Sequence, residues 1–347
     1  MLKYEQVQSM LAGGRYVGPA KAGDESLGPL AQLPGVWSNA DNLVGHGWNM
    51  IALPYKQPGK TVQPDTPDQK SDFRLLLNQF NETLTFSLLD KGVPNRGAAV
   101  GKVLDTDQHL AAIQYVQHIR QIAAIDAPPT PDTPDTPKGP SSETQAIHHE
   151  PGLFLHLANQ TNGGPDIARL GTIPHGDFVL ALGSGSPTPT PGAPKLTDPQ
   201  LIALFSPLPV GAGSTDINAS PYLAPYKKFH DAPFKNLFDP TKPLDLLARA
   251  IVGINIKQTT TLQLDTALDT GGVVNIPFVV KQANATSMRA VFWIEELVDL
   301  DPQGKPQFML QYAQRVMLEF FRSRPPNTGL IKWPHITINT MKLTARP

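Results

Sequence analysis

The runs IHHEPGLFLHLAN (147–159) and IARLGTIPHGDFVLAL (167–182) decide how this 347-residue chain is read. They flank a polar turn, Gln160–Pro165, and two strand-like runs around such a turn form a hairpin. Side chains alternate across a strand, so LFLHL puts Phe154 and His156 on one face and Leu153, Leu155 and Leu157 on the other. Four of the nine histidines lie in this stretch, His148, His149, His156 and His175, together with Arg169. A chemical centre, if the chain has one, is expected here.

The same period of two extends outward from the hairpin. Phe80, Glu82, Leu84, Phe86 and Leu88 alternate with Asn81, Thr83, Thr85 and Ser87, the pattern of a half-buried strand. Glu82 then points to the apolar side. Residues 110–125 fit a strand or a helix by spacing, with Tyr115, Val116 and Ile119 favouring strand. Strands are further expected over 45–53, 258–264, 273–282, 288–298, 308–321 and 333–343. One helix is expected over 243–254, with Pro243 at its start and Gly253 at its end. A short amphipathic piece spans Tyr4–Leu11.

The 36 prolines oppose a helical bundle, because proline removes a backbone donor. They fit a β protein with stiff loops. Residues 127–142 and 184–243 read as Pro-rich loops inserted into one domain, 1–347; the second, aromatic over 201–243, can wrap over a barrel mouth as a lid or equally pack on the outside. The fold class expected is mostly β: an antiparallel up-and-down barrel of about ten strands, with one or two short helices. Without cysteine, disulfides, thiolate chemistry and cysteine-held metals are excluded. A formal charge of −1 gives no pull toward nucleic acid. No run is long enough for a membrane span, and MLKYEQVQSMLAGG lacks the apolar core of a secretory signal, so a cytoplasmic location is the default expectation.

A resemblance rests on Pro29, Leu30, Leu33, Gly35 and Trp37 in GPLAQLPGVW. This Gly-x-Trp opening, followed by a strand meander, resembles the calycin barrels: lipocalins, fatty-acid-binding proteins and, nearest, the haem-binding nitrobindins. The resemblance implies a barrel with an internal ligand cavity. It also implies a haem-ligating histidine on a late strand, and the matching position is His335 in WPHITINT.

The residues themselves offer further candidates. A neutral imidazole at His156, or at His175 in the IPHGD turn, suits a cofactor iron. Arg169 facing a cavity suits a carboxylate or a haem propionate. His148 and His149 are candidate metal ligands, although adjacent strand positions point to opposite faces, so each needs another partner such as His156 or His175. A buried Glu295 or Glu296 would have a raised pKa. The competing reading of each is ordinary: a hydrogen-bonded core histidine, an exposed arginine, a solvated strand end. The function expected is binding of an apolar or amphiphilic small molecule, haem among the candidates, in a barrel cavity. The alternatives are an enzyme using His156, His175, Arg169 and Glu150 in that cavity, and an interaction protein with Pro-rich loops.

Overall fold

The computed structural model describes residues 17–39, 46–54, 73–95, 108–127, 146–158, 164–173, 176–186, 188–268 and 270–346. The Tyr4–Leu11 piece, His175 and nearly all of the 127–142 loop lie outside them.

Eleven strands build the wall: β1 (Gly35–Ser38), β2 (Gly47–Pro54), β3 (Phe73–Leu88), β4 (Gln108–Ala127), β5 (Ala146–Ala158), β6 (Ile167–Ile173), β7 (Asp177–Gly185), β8 (Ile256–Asp265), β9 (Asn284–Leu300), β10 (Pro306–Arg322) and β11 (Leu330–Ala345). β1 and β2 share one position. β1 pairs with residues 83–86 of β3 and 342–345 of β11, whereas β2 pairs with 73–80 of β3 and 336–338 of β11. Every neighbouring pair is antiparallel, and the β7–β8 ladder from Leu182↔Asp265 to Gly185↔Leu262 closes the circuit. The result is a closed ten-position up-and-down barrel, which leaves no open edge in its wall. Residues 110–125 resolve as strand, inside a β4 of 20 residues.

Short α-helices number four among the described residues, where one or two are expected: α1 (Pro199–Leu204), α2 (Ala224–Asp231), α3 (Asp245–Ala250) and α4 (Pro277–Gln282). α3 is the helix expected over 243–254, shortened at both ends. The 273–282 run is not one strand. It pairs only over Gly272–Val274 and then becomes α4, because Pro277, which has no N–H to give a ladder, sits well in the first turn of a helix.

The aromatic segment of the 184–243 loop packs on the strands. It lies against the outer wall, where Phe234 and Phe238 pack on Trp48 at centroid distances of 5.8 and 5.6 Å and Tyr222 packs on Phe73 at 5.3 Å. Trp48 and Phe73 would otherwise show large apolar surface to water, and covering such rings is worth ~1.5–3 kcal/mol each. One mouth is closed by a 3-10 turn, Glu25–Leu30, which touches β4, β5, β7 and β8. Its Leu27 and Leu30 are fully buried, as is Leu33 beyond it. Trp37 Nε1–H donates to the Leu33 carbonyl at 2.8 Å, tying the Gly-x-Trp strand to this plug.

Candidate functional site

Inside the barrel, the inward row of β5 carries His148, Glu150, Gly152, Phe154 and His156. Glu150 is 1 % exposed and meets Arg169 of β6, itself 3 % exposed, at 2.7 Å. Tyr115 of β4 donates its hydroxyl to Glu150 and receives the Arg169 Nε–H at 3.0 Å. Arg169 Nη1 reaches across the barrel to Gln314 Oε1 of β10 at 2.7 Å. The rings of Tyr115, Phe154 and Phe292 surround the guanidinium at 5.1–5.8 Å. A desolvated cation against aromatic faces gains more than an exposed one. Gly152 and Gly171 face each other on β5 and β6; a Cβ on Gly152 would overlap the Tyr115 ring and one on Gly171 the Tyr115 hydroxyl.

A second cluster surrounds Glu82 of β3, 2 % exposed. Gln117 Nε2 donates to its Oε1 at 2.7 Å, and the Tyr312 hydroxyl and Asn339 Nδ2 donate to its Oε2 at 2.6 and 2.7 Å. The two carboxyls are driven apart. Burial raises the pKa of Glu82, and the hydrogen bonds from Tyr312, Gln117 and Asn339 oppose it. Burial also raises Glu150, but the Arg169 charge and the His148 contact outweigh it and hold the group at about 2. His148, partly exposed, reaches Glu150 Oε2 at 3.2 Å and links the cluster toward solvent.

Between the clusters lies a cavity of about 10 Å³, lined by Leu84, Phe86, Tyr115, Gln117, Phe154, Arg169, Phe292, Tyr312 and Gln314. That is room for roughly one water. Ten strands could enclose a wider lumen, but here large side chains fill it. The arrangement holds one carboxyl biased toward its acid form and one toward its ionised form around a water-sized space.

The candidates from the sequence separate as follows. Arg169 and Glu150 come together, with His148 beside them. His149 points outward and stacks on His118 at 4.4 Å, so His148 and His149 do not share a metal. Among the described residues no three His, Asp or Glu side chains converge on an ion. His156 does share the face of Phe154, but its Nδ1 pairs with the Ser26 carbonyl at 2.7 Å and its ring packs on Gly28 of the plug. His335 Nδ1 pairs with the Met50 carbonyl at 2.8 Å, at the β2–β11 seam. The cavity between the two clusters, about 10 Å³, is far smaller than the ~300–1,000 Å³ of ordinary small-molecule sites. Glu295 is fully buried and Glu296 is paired with Lys257 at 2.6 Å. Tyr115, Gln117, Tyr312, Gln314 and Asn339 escape the sequence reading, since their partners are set by barrel closure; the Gly152 and Gly171 pair is the one local sign of a large neighbour.

A larger space lies outside the wall. A cleft of about 540 Å³ runs between the 164–165 turn, β7, β8, β9 and Leu204 of α1. Pro165, Leu204, Leu268 and Val291 give it apolar walls, and Asp265 and Arg289 form a salt bridge on its lining. Arg315 stands opposite Arg289 on β10. Burial lowers its pKa, the neighbouring Arg289 charge adds to this, and its Nε is buried without a partner among the described residues. No helix among the described residues is long and apolar enough to cross a membrane. Comparison with protein-family models, curated proteins and solved structures gives no match.

Proposed function

We propose that the chain binds an amphiphilic small molecule with an anionic head, in the cleft between the 164–165 turn, β7–β9 and α1. The observation that carries this reading is a cleft of about 540 Å³ with apolar walls beside the row Asp265, Arg289 and Arg315, in which two arginines face one carboxylate. Its volume matches small-molecule sites, which are mostly apolar with a few aimed polar groups. An arginine with an unsatisfied donor favours a carboxylate or phosphate acceptor. The ligand expected from the sequence is thus retained, and its place moves from the lumen to the outer face of the wall.

Calorimetric titration with decanoate tests it. Saturable binding is expected, weakened at least tenfold by Leu268→Arg, which fills the partly exposed side of the cleft, and unchanged by Tyr115→Phe in the interior. Binding that survives Leu268→Arg would place the ligand elsewhere.

A further inference from the structure

Glu295 sits on the outer face of β9, opposite Thr259 of β8 and Met309 of β10. It is fully buried, and neither carboxyl oxygen has a partner among the described residues. Trp293 and Leu297 flank it along the strand. Met309 and Leu297 are packed in turn by Ile251 and Ile254 of the segment that follows α3 and by Ile256 of β8. Gln311 lies on the same face, paired with Trp293, and is therefore the diagonal neighbour of Glu295. Diagonal neighbours on one face are within reach of each other through long side chains. Gln311 spends both amide hydrogens, on the Leu247 carbonyl of α3 and on Thr340 Oγ1, each at 2.9 Å. Its Oε1 is buried with no donor.

Three acceptor oxygens on neighbouring positions of this face are therefore buried with no donor among the described residues, and leaving such groups unmade is costly. One proton resolves the conflict. We propose that Glu295 is held as the neutral carboxylic acid and donates to Gln311 Oε1, making a proton-dependent latch that fastens α3 to the barrel wall. Losing the proton sets a carboxylate against an amide oxygen. Gln311 answers it only by turning its amide, and that turn takes the donor away from Leu247 and releases the helix. The latch is independent of the cleft and of its ligand.

The charged groups around it leave the proton as the remaining donor. On β8, Thr259 faces it, and Lys257 is committed to Glu296 at 2.6 Å. On β10 it faces Met309 and Gln311. On β11, Lys342 lies one strand beyond Met309. The charged residues of α3, Asp245 and Arg249, are exposed. Burial alone pushes the Glu295 pKa up to about 8.

The test is hydrogen exchange of amides 246–251 in the native chain, followed from pH 6 to pH 9.5 after correction for intrinsic exchange. Protection is expected to fall at least tenfold across a midpoint near pH 8 while the β10 and β11 amides stay protected. Glu295→Gln, whose amide can donate to Gln311 without titrating, should keep the protection at every pH. An infrared carbonyl band of a protonated buried acid should be present at pH 6 in the native chain and lose the Glu295 share of its intensity in Glu295→Gln. Flat protection in the native chain, or the same loss in Glu295→Gln, would overturn the latch. So would a gain in protection on adding calcium or magnesium, which would make the missing partner a cation.

Discussion

Arg169 holds three hydrogen bonds and three aromatic rings together in a space with room for about one water. Deleting one partner of a buried pair leaves the other charge stranded, which costs ~3–5 kcal/mol, whereas replacing both by apolar groups is often neutral. Arg169→Met should therefore lower stability by ~3–5 kcal/mol in urea melts, and Arg169→Met with Glu150→Leu should recover most of the loss. A double variant as unstable as the sum of the singles would show that the pair is not coupled. At this scale the sequence was partly legible. The alternation in LFLHL put Phe154 and His156 on one face, and the FNETLTF pattern set Glu82 on the apolar side. The hydroxyls and amides that answer these charges come from β4, β10 and β11, and no local period encodes which of their residues meet across a lumen.

The plug turn gives the element scale its own test. Gly28 has φ +51, a conformation that costs a side chain, and a Cβ there would meet the His156 ring. Gly28→Ala is expected to cost ~1–3 kcal/mol through strain and overlap. His156→Ala should relieve part of that, so the double variant should lose less than the two singles combined. Additive losses would mean that the plug and the β5 histidine are independent. The strands themselves were readable because their alternation is long; β9 and β10 differ from their expected spans by a few residues at each end. α4 was not readable, since NIPFVVKQ is an apolar run without period, and Pro277 alone tips it toward helix. The plug was masked for another reason: its sequence carries the Gly-x-Trp resemblance, which speaks of the first strand and not of what closes the mouth.

For the whole molecule, the buried acids set a pH window. Glu150 has a folded pKa of about 2 against an ordinary 4.5, so the stability it contributes is complete above 4.5 and is lost as pH falls toward 2. Glu295 runs the other way: its contribution is complete below 4.5 and is lost as pH rises to about 8. The melting temperature should therefore peak on the acid side of neutrality, near pH 5. Glu295→Gln should flatten only the alkaline limb. A peak at pH 8 or above in the native chain would contradict the assignment of these two groups.

One feature of the wall shapes the history of every copy. β11 is the strand that joins β10 to the shared position of β1 and β2, and Thr344 bonds Val36 across 308 residues. Chain growth at ~5–20 residues per second leaves the early strands waiting for that partner through most of synthesis. During this time β1 and β2 carry a row of unpaired amides and carbonyls, the kind of edge that recruits foreign strands. The nascent barrel is an open sheet with its seam exposed until β11 arrives, and so distant a closure slows folding and prolongs exposure of the edge.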